Sequence, residues 1–391
     1  MYVHNPSQKP GAWFHGVSVG EIHLLSSVVA AFRKRHPDWF VVVSSTTDTG
    51  FAEAQARFAD LSVIPWPFDF TWAVRRAMRN VNPSLLVLAE GELWPNAVRA
   101  ARERGAKVAV INARMSPRSF SRSLRVAGLL RRFVYRLVDR FAVQSEEYAE
   151  RFRQLGVDHS KIAVTGSVKY DGAMGERKSF LFPSPARGKG SLIWVAGSTH
   201  APEERIVLDA FANLRLRFPA LHLILVPRHP DRFEDVATLI ESTGIPFVRR
   251  SQLSEPPSEL PPVILLDTVG ELGAAWSLAD IGYVGGTLDG KRGGQSMIEP
   301  AGYGVPTVFG PHVWNFKDAT SRLVESGGAI RVNAPNEVET AIADLLGHPE
   351  RRARMGESAR QLVASQQGAT ARTLDVLDEL IGANRTVSAA A

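Results

Sequence analysis

The chain has 391 residues, of which 45% are hydrophobic and 22% are charged, as is typical of a folded globular protein of about two domains. It contains no cysteine, which excludes disulfides, thiolate metal sites and cysteine nucleophiles. Residues 1–165 hold 23 basic against 14 acidic side chains (net +9), and residues 166–391 hold 23 against 26 (net −3). The first half is therefore expected to meet an anionic partner.

Short apolar runs alternate with amphipathic stretches in the first half, and this pattern predicts a parallel sheet with helices on both faces. The predicted strands are Trp13–Val17, Phe40–Ser44, Leu85–Ala89, Lys107–Ile111, Phe141–Gln144 and Ile162–Thr165. The predicted helices are Ile22–Arg35, Thr49–Phe58, Trp72–Arg79, Pro95–Arg104 and Glu146–Leu155.

Residues 171–190 are rich in Gly, Pro, Ser and basic side chains and are predicted to be a linker. The alternation then restarts, with predicted strands at Leu192–Ala196, Leu221–Val226, Val263–Leu266, Ile281–Val284 and Thr307–Phe309. Predicted helices are Pro202–Phe218, Arg232–Thr243, Phe316–Ser326, Glu337–Leu346, Glu350–Gln366 and Ala369–Ile381. The sequence thus predicts an α/β protein with two doubly wound domains, 1–170 and 191–382, facing across a cleft, and a disordered tail at 383–391.

Two acidic residues lie just beyond predicted strands of the first domain. Glu21 comes after a Gly-X-Ser-X-Gly turn at a helix start, and Glu90 follows Leu85–Ala89. Ligands of such sheets bind at the carboxyl ends of the strands, so Glu21 is a candidate general base and Glu90 a second catalytic acid. The alternative for Glu21 is that it only complements the helix dipole. Lys169, before the linker, is a candidate contact for a phosphate.

The second domain carries the signals of a nucleotide site. Arg228 follows Pro227 at a strand end, where a guanidinium suits a phosphate. Gly285-Gly286 lies in a glycine-rich loop that leads to a helix start, where free amides attract anions, and Glu299 is a candidate acceptor for ribose hydroxyls. A Gly-Glu turn at Val269, Gly270 and Glu271 is a candidate contact for a base edge.

No metal site is predicted, because the sequence has no Asp-X-Asp pair and its histidines are not spaced as ligands. Residues 117–140 combine apolar residues at helical spacing with arginines. This helix is either packed on the core with a solvated basic face or docks on an anionic membrane or a phosphorylated lipid. Nucleic acid is a poorer fit, because no aromatic-interleaved basic patch occurs.

A set of short motifs occurs in the order of one known family. They are FHGVSVGE, EGELWPN, INAR, GSVK, PRHP, GG at 285–286, EP at 299–300 and GPHVWNFKD. In these motifs the chain resembles the 3-deoxy-D-manno-octulosonic acid (Kdo) transferases of lipopolysaccharide synthesis. The resemblance implies a GT-B glycosyltransferase that moves Kdo from CMP-Kdo to a lipid A precursor. It implies an inverting, metal-independent reaction without a cofactor, at the cytoplasmic face of the inner membrane.

Carried over by position, the resemblance makes Glu21 the proton acceptor and Glu90 and Lys169 transition-state-stabilising residues. The residues that match its CMP contacts are Pro227, Arg228, Val269, Gly270, Glu271, Ser296, Met297, Ile298 and Glu299. The chain has GGQSMIE where the family usually has GGHNPLE, which changes the detailed CMP contacts. Members commonly begin with a hydrophobic anchor that the given sequence does not show, and whether one precedes Met1 is left open. Membrane contact is expected through the basic N-terminal domain. The sequence fixes neither the oligomeric state nor the number of Kdo units added.

Two alternatives remain open at this point. One is a GT-B enzyme with another nucleotide sugar or acceptor, because a fold does not fix a substrate. The other is a non-catalytic lipid-binding relative.

Overall fold

The computed structural model describes residues 9–91, 93–173, 190–255 and 259–388, with the backbone alone at 383–388. The chain forms two compact units, one of Met1–Asp171 with Gln366–Ala391 and one of Gly172–Ser365. Both are α/β units built on a seven-stranded sheet whose neighbouring strands are all parallel.

The first sheet has the strand order β3-β2-β1-β4-β5-β6-β7. Its strands are β1 Gly11–His15, β2 Phe40–Ser45, β3 Ser62–Pro65, β4 Leu85–Ala89, β5 Lys107–Ala113, β6 Arg140–Val143 and β7 Ile162–Val164. The order reverses between β1 and β4, which are neighbours although they are not consecutive. Such a switch point opens a crevice beyond the carboxyl ends of the two strands, where ligands bind.

Seven helices of the first unit lie between these strands. They are α1 Val19–Arg35, α2 Asp48–Arg57, α3 Thr71–Val81, α4 Pro95–Glu103, α5 Pro117–Leu124, α6 Ala127–Phe133 and α7 Glu146–Gln154. The sheet has an apolar core on each face, because side chains alternate along a strand. Trp13 belongs to one core and Phe14, its neighbour in β1, to the other.

The second sheet has the strand order β10-β11-β9-β8-β12-β13-β14, with its switch point between β8 and β12. Its strands are β8 Leu192–Thr199, β9 Leu221–Pro227, β10 Phe247–Arg249, β11 Val263–Leu265, β12 Ile281–Val284, β13 Thr307–Phe309 and β14 Ala329–Arg331. Its helices are α8 Glu203–Arg217, α9 Phe233–Glu241, α10 Leu272–Leu278, α11 Ile298–Gly302, α12 Lys317–Glu325, α13 Glu337–Gly347 and α14 Pro349–Gln366.

The last helix, α15 (Ala369–Ser388), belongs to the first unit. The prediction that residues 369–382 belong to the second domain was wrong, because sequence order does not show where a helix packs. Leu374, Leu377, Leu380 and Ile381 follow helical spacing and join the core beneath α1. Asp171 caps the helix by accepting the backbone N–H of Gly368 at 2.7 Å.

The predicted tail and linker have different outcomes. Residues 383–391 were predicted to be disordered, but α15 continues to Ser388, and 389–391 lie outside the described residues. Most of the predicted linker, residues 174–189, also lies outside them. No helix in the described ranges is both long and apolar enough to cross a bilayer.

Candidate active site

Glu21 lies in the first turn of α1, directly beyond β1 at the switch point of the first sheet. Its Oε2 accepts the backbone N–H of Val17 at 2.7 Å, and the Ser18 hydroxyl donates to Oε1 at 3.4 Å. The carboxylate therefore stabilises the helix N-terminus, as the simpler alternative requires. It is only partly buried, so this capping leaves the side chain accessible.

Glu90 directly follows β4, the neighbour of β1, and the structure brings it together with Lys169. Lys169 Nζ lies 3.0 Å from Glu90 Oε1. Arg114 Nε donates to Oε2 at 2.6 Å. The Glu90 side chain is 9% exposed, against 29% for Lys169 and 47% for Arg114. Two cations thus compensate one buried carboxylate at this strand end.

The backbone around this ion cluster adopts a rare conformation. Glu90 has φ +58° and Asn112 has φ +51°, values in the left-handed region that non-glycine residues seldom occupy. Asn112 is fully buried, and its side-chain oxygen accepts the backbone N–H of Val168 at 3.1 Å. Asn112 therefore links β5 to the segment that carries Lys169. Strained residues that surrounding contacts hold in place cluster at functional sites.

His15 ends β1 next to this edge and is fully buried. Its ring stacks on Trp66 with centroids 3.8 Å apart. Its Nδ1 lies 3.2 Å from the backbone oxygen of Ser44. Burial lowers the pKa of His15 to about 3, although the hydrogen bond to Ser44 opposes the shift. His15 is therefore neutral near pH 7 and adds no charge to the ion cluster.

Glu203 organises the switch point of the second sheet. It is 1% exposed at the start of α8, and its Oε2 accepts the backbone N–H of Gly286 at 2.7 Å and of His200 at 3.1 Å. Its Oε1 accepts the backbone N–H of Thr287 at 2.9 Å and of Leu288 at 3.1 Å, and also the Tyr283 hydroxyl at 3.0 Å. One buried carboxylate therefore fixes the loop that follows β12.

Gly285 and Gly286 are both required by this loop. A Cβ on Gly285 would lie 2.5 Å from the backbone oxygen of Ser198, which is too close for any other residue. Gly286 has φ +70°, where glycine is the least strained residue. The far end of the glycine-rich loop is held by Asn315, whose side chain donates to the backbone oxygen of Arg292 at 2.8 Å.

Pro227 ends β9, and the exposed Arg228 follows it. Burial raises the pKa of Glu299, while the charge of Arg228 opposes that shift. The charge of Arg228 is therefore felt at Glu299, the other predicted ligand residue. The buried ring of His200 also lies among cations, and burial lowers its pKa to about 4, helped by Arg292, His229, Arg228 and Arg232.

The remaining predicted contacts differ in accessibility. Val269 is 80% exposed and Gly270 has φ +91°. Glu271 stands directly before α10, and its carboxylate accepts hydrogen bonds from Arg250 at 2.8 Å and from the Thr268 hydroxyl, so it is already engaged. Met297 and Ile298 are buried, which leaves only their backbones for a ligand. Ser296 is half-buried beside them.

Four residues of these sites were missed as functional candidates, namely Arg114, Asn112, His200 and Glu203. The INAR motif contains Asn112 and Arg114, and its position at the end of a predicted strand could have identified them as candidates. Nothing in the sequence marked Glu203, because an acid in the first turn of a helix is commonplace. In the described part of the chain, no group of three His, Asp or Glu side chains has metal-site spacing.

Comparisons with known proteins connect this chain to a family. Residues 1–172 match the family model described as 3-deoxy-D-manno-octulosonic-acid transferase (kdotransferase). The chain is 34% identical over 376 residues to the 3-deoxy-D-manno-octulosonic acid transferase of Chlamydophila psittaci, covering 94% of this chain and 84% of that protein. It is 35% identical over 383 residues to that of Bordetella pertussis, covering 95% and 87%.

Solved structures show the fold. A putative UDP-N-acetylglucosamine 2-epimerase from Listeria monocytogenes superposes with a TM-score of 0.62 at 12% identity, covering 96% of this chain and 97% of that one. The glycotransferase of kitacinnamycin gives 0.57 at 16% identity, covering 95% and 99%. The architecture is that of the GT-B glycosyltransferases, as predicted. Because the sequence identity extends over nearly the whole chain, the protein belongs to the 3-deoxy-D-manno-octulosonic acid transferase family of glycosyltransferases.

Proposed function

We propose that the protein transfers Kdo from CMP-Kdo to a lipid A precursor, with inversion at the anomeric carbon and without a metal or cofactor. The observation that carries this proposal is the position of Glu21, a partly exposed carboxylate at the switch point of the first sheet. Family membership supports the transfer of Kdo. The identities of the donor and the acceptor, and the roles of the individual residues, are proposed in addition.

Glu21 would remove a proton from a hydroxyl of the acceptor. The resulting oxygen nucleophile attacks the anomeric carbon of Kdo from the face away from the phosphate. The bond from that carbon to the phosphate oxygen breaks and CMP leaves, so the configuration at the anomeric carbon is inverted. Glu90 and Lys169, held together at the neighbouring strand end, stabilise the transition state. A positioned base of this kind contributes about a hundred- to ten-thousand-fold to a rate.

The second unit would bind the cytidylate. Arg228 provides a cation for the phosphate, and the loop at Gly285-Gly286 lets the ligand approach the backbone closely. Glu299 would accept hydrogen bonds from ribose hydroxyls; burial raises the pKa of its carboxyl group, and the charge of Arg228 opposes that rise. The turn at 269–271 would contact the base.

Incubation with CMP-Kdo and a lipid A precursor tests this function. We expect CMP release that depends on the acceptor, and a product heavier by one or more Kdo units in mass spectrometry. UDP-sugars with the same acceptor are the control and should give no UDP release. Turnover with a UDP-sugar but not with CMP-Kdo would replace the proposal by the alternative donor.

The membrane contact of the proposal rests on α5 and α6, which contain no buried residue. The single helix predicted over 117–140 is broken between them, at Arg125-Val126. Leu129 is 61% exposed and Phe133 46%. The surrounding exposed arginines are Arg118, Arg122, Arg125, Arg131, Arg132 and Arg136. Exposed apolar side chains among cations suit an anionic bilayer surface, with the enzyme at the cytoplasmic face of the inner membrane.

We expect the double variant Arg122→Gln/Arg125→Gln to bind anionic vesicles about 30-fold more weakly than wild type. Each basic side chain near such a surface contributes about 1 kcal/mol, so two contribute about 2 kcal/mol. Co-sedimentation with phosphatidylglycerol-containing vesicles measures the loss, and pure phosphatidylcholine should bind neither protein. The matched control is Arg351→Gln/Arg354→Gln in α14, which removes two exposed arginines of the second unit. Equal losses in both double variants would refute a specific surface.

A further inference from the structure

The charges around Glu90 differ from those of a lone catalytic carboxylate. Lys169 and Arg114 contact its two oxygens, at 3.0 Å and 2.6 Å. Among the described residues of this cluster, two cations and one anion leave a net charge of +1. A developing positive charge on a substrate would be repelled by this cluster as a whole, whereas an anion would be attracted to it.

Both cations keep unused hydrogen-bond donors. Among the described residues, the Arg114 side chain has one partner, Glu90, and uses only Nε for that contact. Its two terminal nitrogens thus have donors to spare, in the planar geometry that matches two oxygens of a carboxylate or phosphate. Lys169 Nζ has three donors, and within the same described set its recorded ion pair is with Glu90 alone.

Exposure separates the cations from the carboxylate. Arg114 is 47% exposed and Lys169 29%, while Glu90 is 9% exposed. Solvent, and therefore a ligand, reaches the cations far more readily than the carboxylate. The two cations are therefore the groups of this cluster that solvent reaches, and Glu90 contacts both of them.

The backbone gives an independent indication of function. Glu90 and Asn112 both hold left-handed conformations at the ends of neighbouring strands. The Asn112 side chain accepts the N–H of Val168, next to Lys169, and its amide lies 3.5 Å from Glu90 Oε1. The fold therefore maintains two unfavourable residues where they align the cluster, and strain of this kind marks functional sites.

We propose that Arg114 and Lys169 form an oxyanion-binding pair, with Glu90 as the positioning residue that holds them. This inference rests on the proposed function, which offers two sources of one chemistry. The transferred sugar is an acid with a carboxylate, and the acceptor carries phosphate monoesters. Either compact oxyanion fits a guanidinium and an ammonium side by side.

The test is a titration that requires no turnover. Free Kdo serves as the carboxylate probe and glucosamine 1-phosphate as the phosphate probe, each followed by NMR line broadening of the probe on adding protein. We expect Arg114→Gln to weaken the binding of one probe at least tenfold and Arg114→Lys, which keeps the charge but loses the fork, to weaken it less. The probe that loses affinity identifies the source of the anion.

The matched control is Arg99→Gln, because Arg99 is also an exposed arginine of the first unit beside a glutamate, Glu103. The Arg99→Gln variant should bind both probes with an affinity within about twofold of that of wild type. Unchanged binding of both probes by Arg114→Gln, or no binding of either probe by wild type at tens of millimolar, would overturn the oxyanion pair. The proposed function fails separately, if wild type gives no transfer from CMP-Kdo.

Discussion

Glu21→Gln is expected to lower the rate of Kdo transfer by about a hundred- to ten-thousand-fold, the range that a positioned general base contributes. The amide cannot accept a proton from the acceptor, but its oxygen can still accept the Val17 N–H that the carboxylate now accepts at 2.7 Å. The helix cap is therefore retained, and the loss reports on chemistry. Steady-state CMP release measures the rate, and calorimetry with CMP should show affinity within about twofold of wild type.

Asp48→Asn is the matched control for this prediction. Asp48 is the acid in the first turn of α2, and α2 follows β2, the neighbour of β1 in the sheet. Losing its charge changes the helix terminus by only about 0.3–1 kcal/mol, so transfer should stay near wild type. If Glu21→Gln turns over as fast as wild type, Glu21 is a helix cap and the general base lies elsewhere.

Glu203→Ala is expected to lower the free energy of unfolding by about 3 kcal/mol or more and to weaken CMP binding. The carboxylate accepts five hydrogen bonds within the loop region beyond β8 and β12. Its removal leaves buried backbone N–H groups without acceptors, and each costs about 1–3 kcal/mol. Urea unfolding followed by far-UV circular dichroism measures the stability, and calorimetry measures the affinity.

Glu339→Ala serves as the comparison, because Glu339 is also a helical glutamate of the second unit but makes its contact, with Asn213, at the surface. Its expected change lies within about 0.5 kcal/mol. A Glu203→Ala protein with wild-type stability would mean that water replaces the carboxylate in the loop. The buried anion would then not be what shapes the Gly285-Gly286 backbone.

The sequence predicted most strands because parallel strands buried on both faces are near-continuous apolar runs. Phe40–Ser44 and Leu85–Ala89 are such runs, and both strands are confirmed. β3, β10 and β14 were missed, since Ser62–Pro65, Phe247–Arg249 and Ala329–Arg331 are short edge strands with partly exposed residues. The apolar pattern of a sequence reflects the burial of its side chains. An edge strand of three or four residues buries too few side chains to produce a clear pattern.

For the site, the sequence could give positions but not contacts. Residues directly after strands, such as Glu90 and Arg228, were identifiable because parallel topology brings strand ends to one edge. The pairing of Glu90 with Arg114 was not, because the two belong to different strands and meet only through the register of β4 with β5. The same holds for Glu203, whose five donors come from two separate segments of the second unit, His200 and residues 283–288.

The return of α15 to the first unit has a practical consequence for anyone who wishes to study that unit alone. A fragment cut at residue 172, where the matching family model stops, would lack the apolar side chains that cover α1, as well as the carboxylate partners of Arg35 at Asp375 and Asp378. Such a fragment is expected to expose an apolar surface and to aggregate. A gene that joins the two segments of the first unit through a short glycine-rich linker would encode both in one polypeptide. The apolar side chains that cover α1 would then be restored.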